Sequence, residues 1–303
     1  MAFIDNTTYY GKDTEGFYSK LLLEFKSATF MSPIVNAKNK VKIATLTRGN
    51  VLQAGDCDFT SAGEGTLAQK TISPVDVKIN IEYCVKTFEQ NYLGEKLRPG
   101  SMTGEVIPTA NGVQNYFLNL ALSAGQNDLE LLTWQGNTAT ASYPLSLADG
   151  LLKQFENDGT VVKLSATSSL TEANVLDELF RVFKAIPDAI KQRGNAVIVI
   201  SQDIADYYFQ AIANKGNYNN MFSDAKNLSF FGIQLVIAPG IGIKKIVAAE
   251  KSNLIFVTDL MSDLEDIQVL NMYGVTGQPV VRFVSRFKFG VSYAIGSEIV
   301  YLR

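Results

Sequence analysis

The chain has 303 residues, of which 47% are hydrophobic and 19% are charged, and its formal net charge is -3. Soluble domains usually carry roughly 25% charged residues, so a larger part of this protein's surface is uncharged and available for contacts with partners. The slightly negative net charge argues against a free-standing nucleic-acid binder. Histidine is absent, which removes the commonest general base and metal ligand and excludes the usual catalytic triads and most zinc sites.

The cysteines, the apolar runs and the first 30 residues bear on disulfide bonds, membrane spans and secretion. Cys57 and Cys84 are too few and too isolated for a disulfide scaffold, so we expect reduced thiols. No apolar run approaches the ~18 residues of a membrane span. Residues 1–30 begin with polar, aromatic and acidic side chains, so we expect no signal peptide and no membrane partner.

The first 48 residues hold one short helical pattern. Four apolar side chains recur there at helical spacing: Phe17, Leu21, Leu22 and Phe25. Ser32-Pro33 ends the pattern, and lysines 38, 40 and 42 then alternate with apolar or small residues. We interpret residues 1–48 as an arm, which either is solvated or lies along a neighbouring subunit.

Residues 49–74 are polar and rich in glycine, including Gly55, Gly63 and Gly65, and no buried face can be drawn through them. Val75 to Tyr83 then alternates without error between apolar and polar side chains, which predicts a half-buried strand. We expect a long two-stranded excursion whose return limb is this strand. Because an isolated hairpin is marginally stable in water, a neighbouring subunit is its natural support.

Residues 114–132 form the longest helical pattern, and Gly136 signals its end. Residues 151–240 read as an α/β unit. Its predicted elements are a strand at 160–165, a helix capped by Thr171 and kinked at Pro187, a buried central strand at 195–200, a helix at 204–214 capped by Ser201, and a strand at 232–238.

The closing residues predict three strands, of which the last is the longest. Its Arg282, Arg286 and Lys288 share one face, while bulky apolar side chains occupy the other. Three cations on one face repel each other unless anions lie opposite. Two interpretations remain open: a solvated basic face, or pairing with acids on an adjacent strand or subunit, such as the group from Asp259 to Asp266.

Two motifs have residue types that can bind small ligands. Gly240 and Gly242 precede two lysines, but a phosphate loop needs a further glycine and a helix that opens after it, so a structural turn is favoured. Four clustered acids fit no calcium loop and favour a solvated helix face: Asp259, Asp263, Glu265 and Asp266. We therefore expect no catalytic residue, no metal and no cofactor.

The order of these segments resembles that of tailed-phage major capsid proteins of the HK97-like fold, and the stretch from Leu132 to Asn137 is similar to the one that ends a long helix in that family. The resemblance implies an α+β fold. Its parts would be an N-terminal arm (1–48), an extended β-hairpin loop (49–80), a peripheral domain (81–149 and 241–303) with a long spine helix (about 112–132), and an inserted axial α/β domain (150–240).

The resemblance also implies a function. The chain would be a non-enzymatic major capsid protein that assembles into hexamers and pentamers of an icosahedral head, in the cytoplasm of a bacterial host, and remains in the virion. Its partners would be its own copies, packaged double-stranded DNA contacted non-specifically, a separate scaffolding protein, and portal, head-completion or decoration proteins. The assembly residues would be Phe17, Leu21, Leu22, Phe25, Gly55, Gly63, Gly65, Lys70, Arg282, Arg286 and Lys288.

Some family members crosslink a lysine of the extended loop to an asparagine of a neighbour. Lys70 is the one lysine between Arg48 and Lys78, but no motif identifies a partner asparagine or a catalytic glutamate, so that chemistry is not expected here. The alternatives are an encapsulin-type compartment shell of the same fold, another virion structural protein, and an α/β enzyme.

Overall fold

The computed structural model describes residues 26–55, 61–84, 113–215, 228–259, 268–278 and 280–303. Its strands are β1 (Ser32–Ile34), β2 (Val41–Arg48), β3 (Gly65–Ile72), β4 (Val75–Cys84), β5 (Val162–Leu164), β6 (Ala196–Ile200), β7 (Ser229–Phe230), β8 (Ile233–Ile237), β9 (Ile246–Glu250), β10 (Leu254–Val257), β11 (Gln268–Asn271), β12 (Val280–Tyr293) and β13 (Val300–Leu302). Its α-helices are α1 (Val113–Gln135), α2 (Leu151–Asn157), α3 (Val175–Ala185), α4 (Asp188–Arg193), α5 (Gln202–Asn214) and α6 (Tyr273–Thr276).

The long strand β12 organises a five-stranded sheet. It pairs antiparallel with β4, β10 and β11, and β1 joins β10 in parallel. The predicted alternation is confirmed, because Phe283, Phe287 and Phe289 are buried while Arg282 and Arg286 on the other face are exposed. The predicted strand at 75–83 is confirmed as β4 by the same criterion of alternating burial.

A six-stranded sheet has the order β5-β13-β9-β6-β8-β7, and β6 lies inside it. All five residues of β6 are buried, as its uninterrupted apolar sequence predicted. Val197 and Val199 contribute to one hydrophobic core, while Ile198 and Ile200 contribute to another. The sheet therefore separates two cores.

The first core lies between the two sheets and contains the buried ends of α1 and α2. Trp134 of α1 is fully buried, and its Nε1 donates a hydrogen bond of 2.7 Å to Ser27 Oγ. The second core is covered by α3, α4 and α5. Residues from distant parts of the chain build both cores, so the two sheets form one packed body.

The predicted boundary at residue 240 separates strands that share a sheet. Strands β9 and β13 follow that boundary, yet β9 pairs with β6, and β13 pairs with β9 and β5. Residues 241–303 therefore divide between the five-stranded and the six-stranded sheet. No local pattern shows such long-range pairing, and the division into domains stays a prediction.

The predicted extent of the arm is wrong for residues 26–37. Phe30 and Met31 are buried in the first core, and β1 pairs with β10. Ser27 is also buried, and its N–H and Oγ–H donate to the two carboxylate oxygens of Glu130. These residues belong to the subunit because their apolar side chains reach α1. The helical pattern from Phe17 to Phe25 lies outside the described residues.

The predicted return limb of the hairpin is also wrong. Strand β2 pairs with β3 over eight residue pairs, from Val41 with Ile72 to Arg48 with Gly65. Strand β4, which was expected to return, belongs to the five-stranded sheet. Strand β3 has exposed side chains on both faces over most of its length, so it carries no alternation for a sequence pattern to detect.

Two details of the predicted helices need correction. Pro187 separates α3 from α4 instead of kinking one helix, because its ring lacks the N–H that a continuous helix requires. Thr171 is not the cap of α3, whose N-cap residue is Asn174. Ser201 does occupy the N-cap position of α5, but its side chain makes no capping hydrogen bond.

Helix α1 covers the predicted helical pattern at 114–132 and ends just before Gly136. In the part of the chain that the structure describes, no helix has the length and apolar character needed to cross a bilayer.

Candidate assembly surfaces

The β2–β3 hairpin carries apolar side chains into solvent. Leu46 and Leu67 lie directly opposite each other and are 59% and 62% exposed. Beyond the strands, Leu52 is 94% exposed. Among the described residues of the hairpin, Ile72 at its base is the one buried side chain, and it packs against Ile255 and Val257. An exposed apolar ridge on a projecting element is typical of a surface that another molecule covers.

The three predicted assembly glycines of this segment differ in their roles. Gly63 has a positive φ of 72°, and a Cβ atom there would collide with the Val51 side chain, so the turn back into β3 requires glycine. Gly65 begins β3, opposite Arg48. Gly55 lies in open space, with nothing within 4 Å of where a Cβ atom would stand.

Lys70, near the base of the hairpin, contacts Tyr293 at the end of β12. Its Nζ lies 3.1 Å from the centroid of the Tyr293 ring, a cation–π contact. The Tyr293 hydroxyl donates a hydrogen bond of 2.6 Å to Asp158 Oδ2. Asp158 Oδ1 accepts from the backbone N–H and the hydroxyl of Thr160 at 2.8 and 2.7 Å. The chain Lys70–Tyr293–Asp158 thus joins three segments that are far apart in sequence.

Burial and hydrogen bonding shift the pKa values of all three groups. Burial lowers the pKa of Lys70 from 10.5 to about 8, although the negative charge of Asp158 acts in the opposite direction. Burial alone would raise the pKa of Asp158, but hydrogen bonds from Tyr293 and Thr160 and the charge of Lys70 hold it below its usual range. Burial and the hydrogen bond to Asp158 raise the pKa of Tyr293.

The exposed face of β4 and β12 carries a ladder of charged pairs. Arg282 Nε lies 2.6 Å from Glu82 Oε2, and Lys288 Nζ lies 2.7 Å from Asp76 Oδ1. The hydrogen bond to Asp76 raises the pKa of Lys288. Pairing with acids on an adjacent strand is therefore confirmed for two of the three predicted cations. The third, Arg286, lies directly opposite Lys78.

Among the described residues, the ion-pair partners of Arg282 and Lys288 come from β4, and the negative charge of Asp259 also helps to raise the pKa of Lys288. Asp259 is buried after the end of β10 and accepts the backbone N–H of Lys288 at 3.2 Å, so its interpretation as part of a solvated helix face is wrong. Asp263, Glu265 and Asp266 lie outside the described residues. The partners come from β4 because its polar face and that of β12 meet in register.

The Gly240–Gly242 segment is a structural turn, as predicted. Residues Pro239–Ile241 form a 3₁₀ turn, and a Cβ atom on Gly240 would collide with the backbone carbonyl of Glu130 in α1. The carbonyl of Gly240 accepts a hydrogen bond of 2.8 Å from Gln135 Nε2. Glycine is needed there because the turn packs directly on the backbone of α1.

A groove of about 390 Å³ lies between β4, α1 and residues 143–147. Its lining is apolar apart from Lys78, Asp128 and Tyr143, and burial raises the pKa of Asp128. Within the described residues, no three His, Cys, Asp or Glu side chains lie close enough together to hold a metal ion. Lys78, Asp128 and Tyr143 are the titratable side chains among the described residues that line this groove.

Comparisons with known proteins reveal the fold. No family model matches the sequence, and no curated protein matches it. A chain of the satellite phage P4 procapsid, an assembly that includes the size determination (Sid) protein, superimposes with a TM-score of 0.64 at 14% identity, over 99% of this chain and 93% of that one. The capsid of an empty GTA particle gives 0.58 at 11% identity, over 98% and 92%. A virus-like particle from Pyrococcus furiosus gives 0.50 at 11% identity, over 94% and 96%.

These similarities extend over nearly the whole length of each pair of chains, so they concern the entire architecture instead of one common sheet. At 11–14% identity they establish the fold and leave the function to be argued. The capsid-protein architecture expected from the order of the segments is confirmed: this chain has a mixed helix-and-sheet fold shared with phage capsid proteins.

Proposed function

We propose that this chain is a major capsid protein whose copies assemble into hexamers and pentamers and close an icosahedral shell around phage double-stranded DNA. Helix α1 would be the spine helix of the HK97-like fold, and the β2–β3 hairpin its extended loop. The role is structural, with no catalytic step. The observation that carries the proposal is the match, over nearly the entire chain, to subunits of assembled particles.

The hairpin supports this proposal independently. A side chain such as Leu52, 94% exposed, gains nothing from its own subunit. Covering Leu46, Leu67 and Leu52 on a neighbouring copy removes apolar surface from water, at roughly 25 cal/mol per Å². In a closed symmetric assembly each subunit both offers the hairpin and receives one, so the contact is repeated around the ring.

Sedimentation and nuclease protection test the proposal together. We expect the protein, co-produced with the other structural proteins of its source, to sediment as large particles that contain nuclease-resistant double-stranded DNA. A protein that stays monomeric at high concentration under these conditions would contradict the shell. Particles that hold no DNA after packaging would contradict the enclosed genome while leaving the shell intact.

A closed shell other than a phage head, such as an enzyme compartment, is the second candidate, because the fold is also shared with a virus-like particle from Pyrococcus furiosus. Both functions use the same closed assembly, so the contents distinguish them. Mass spectrometry of purified particles would find a co-packaged enzyme in a compartment, and packaged DNA in a phage head.

A further inference from the structure

The turn between β7 and β8 carries an aromatic ring at a strained backbone position. Phe230 pairs with Ile233, so Phe231 and Gly232 form a two-residue turn, in which φ is 48° at Phe231 and 81° at Gly232. Such turns favour Asn-Gly, because asparagine and glycine tolerate positive φ while a bulky side chain is strained there. The Phe231 side chain is nonetheless 68% exposed. The lone subunit therefore holds this ring under backbone strain with little burial in return.

Phe231 belongs to an aromatic patch that α3 and α4 complete. Its ring centroid lies 5.5 Å from that of Phe180 and 5.3 Å from that of Phe183, which are distances typical of packed aromatic pairs. Phe180 is itself 37% exposed. The Nζ atoms of Lys184 and Lys191 lie 4.5 Å and 5.0 Å from the ring centroids of Phe180 and Phe183. The aromatic patch consists of these three rings and two lysines.

The chemistry of the aromatic patch favours a partner that is apolar and carries acids. Aromatic side chains are enriched where one protein contacts another. Lys191 also pairs with Asp188 at 3.1 Å, so Lys184, beside the exposed ring of Phe180, is the cation better placed to meet a carboxylate of the partner. A single-stranded nucleic acid needs a positively charged groove as well as rings, and the carboxylate of Asp188 interrupts the positive charge here.

The N-terminal sequence has this combination of side chains. Its helical pattern places apolar side chains on one stripe, the N-terminal stripe: Phe17, Leu21, Leu22 and Phe25. At 3.6 residues per turn, Glu15 and Glu24 fall at the two edges of this stripe. A helix over residues 15–25 would span ~16 Å. That length covers three rings whose centroids lie no more than 6.3 Å apart.

We propose that the aromatic patch docks the N-terminal stripe of a neighbouring copy of this chain, with Lys184 facing the acids at the edges of the stripe. The inference rests on the proposed function, since a shell brings copies together, and it names the surface that receives the N-terminal arm. The strained turn holds the Phe231 ring against Phe180 before contact. Docking therefore orders few further side chains, which favours binding.

A peptide-binding experiment measures the docking separately from assembly. The probe is a fluorescent synthetic peptide of residues 12–26, titrated into the unassembled full-length subunit and followed by anisotropy. We expect saturable binding, and binding about tenfold weaker for Phe231→Asn, because a central aromatic contact is lost. Asparagine suits the positive φ, so the thermal midpoint of this variant should equal or exceed that of wild type. Ile243→Asn removes another side chain that is 75% exposed and should bind the peptide like wild type.

A charge reversal tests the contact with Lys184. Lys184→Glu should weaken binding of the peptide by about tenfold at low salt, and the loss should shrink at ~0.5 M salt, where exposed charges are screened. A second peptide that carries Glu15→Lys with Glu24→Lys should bind the Lys184→Glu subunit more tightly than it binds wild type. Equal binding to both subunits would show that Lys184 does not face these acids.

The remaining outcomes separate the docking from the proposed function. A lower thermal midpoint of Phe231→Asn would show that the ring stabilises its own subunit, and unchanged peptide binding would place the stripe elsewhere. A single-stranded oligonucleotide that binds wild type but not Phe231→Asn, with the peptide unbound, would identify a nucleic acid as the partner instead. A wild type that assembles without binding the peptide would overturn the docking alone. A wild type that binds the peptide but stays monomeric would support the docking and contradict the proposed function.

Discussion

At the scale of single residues, Ser27 links the segment that precedes β1 to helix α1. Its Oγ donates to Glu130 Oε1 at 2.7 Å and accepts from Trp134 Nε1 at 2.7 Å, and its backbone N–H donates to Glu130 Oε2 at 3.1 Å. All three residues are buried. Two of these three hydrogen bonds involve the Ser27 hydroxyl, which donates to Glu130 and accepts from Trp134.

We predict that Ser27→Ala lowers the free energy of unfolding by about 1–3 kcal/mol, because it leaves a buried indole N–H and a carboxylate oxygen without their partner. Urea denaturation of the unassembled subunit measures this loss. Ser61→Ala, at an exposed position, serves as the control and should change little. A Ser27→Ala subunit as stable as wild type would mean that the buried network contributes nothing.

Lys70 makes the stability of the subunit depend on pH. Its pKa is about 8 in the folded chain against 10.5 as its ordinary value. Between these values the unfolded chain binds more protons, so the contribution of Lys70 to the free energy of unfolding rises as the pH rises from about 8 to 10.5. Below pH 8 the cost of burying the charge is fully present.

We therefore predict that wild type gains stability relative to Lys70→Gln when the pH is raised from 7.5 to 10. Urea denaturation of both proteins at the two pH values measures the difference. Lys40→Gln, which removes an exposed lysine, should instead run parallel to wild type. Parallel behaviour of Lys70→Gln and wild type would show that Lys70 titrates alike in both states.

At the scale of elements, the β2–β3 hairpin has a packed base and an exposed ridge. We predict that Leu46→Ser with Leu67→Ser abolishes assembly and changes the free energy of unfolding by less than about 0.5 kcal/mol, because both side chains are already in water. Ile72→Ala, at the buried base, should instead cost about 2–5 kcal/mol. Light scattering and urea denaturation separate the two effects, and shells formed normally by the double variant would contradict the role of the ridge.

The beginning of the chain provides a second test at this scale. A deletion of residues 2–25 keeps Phe30, Met31 and β1, and we predict that it keeps a cooperative thermal transition while impairing assembly. A deletion of residues 2–35 removes these buried groups and should unfold the subunit, since loss of one buried phenylalanine side chain alone costs about 3–5 kcal/mol. Circular dichroism against temperature distinguishes them. Identical melting of the two deletions would show that residues 26–35 add nothing to the fold.

At the scale of the whole molecule, periodicity determined what could be predicted. Strands β4, β6 and β12 carry alternating or continuous apolar residues and were found from them, and the order of elements led to the capsid-protein fold. The partner of β2 was missed because β3 is exposed on both faces. The partners of Arg282 and Lys288 were missed because strand register depends on contacts some 200 residues apart in sequence.

The contacts of the candidate assembly residues likewise depend on long-range pairing that no local sequence pattern shows. Lys70 was singled out by its position in the loop, yet its contact with Tyr293 depends on how the hairpin folds back onto β12. The opposition of Lys78 and Arg286 likewise appears only once the register of β4 and β12 is known. Composition and the order of the elements predict assembly, whereas the contacts of the candidate residues follow only from the three-dimensional pairing of the strands.

Electron cryomicroscopy of the purified full-length protein, assembled together with the other structural proteins of its source, tests the central claim most directly. The proposed function predicts closed shells of hexamers and pentamers in which density for residues 41–72 of each subunit lies on a neighbouring copy. Discrete monomers, or shells in which the hairpin contacts only its own subunit, would contradict it.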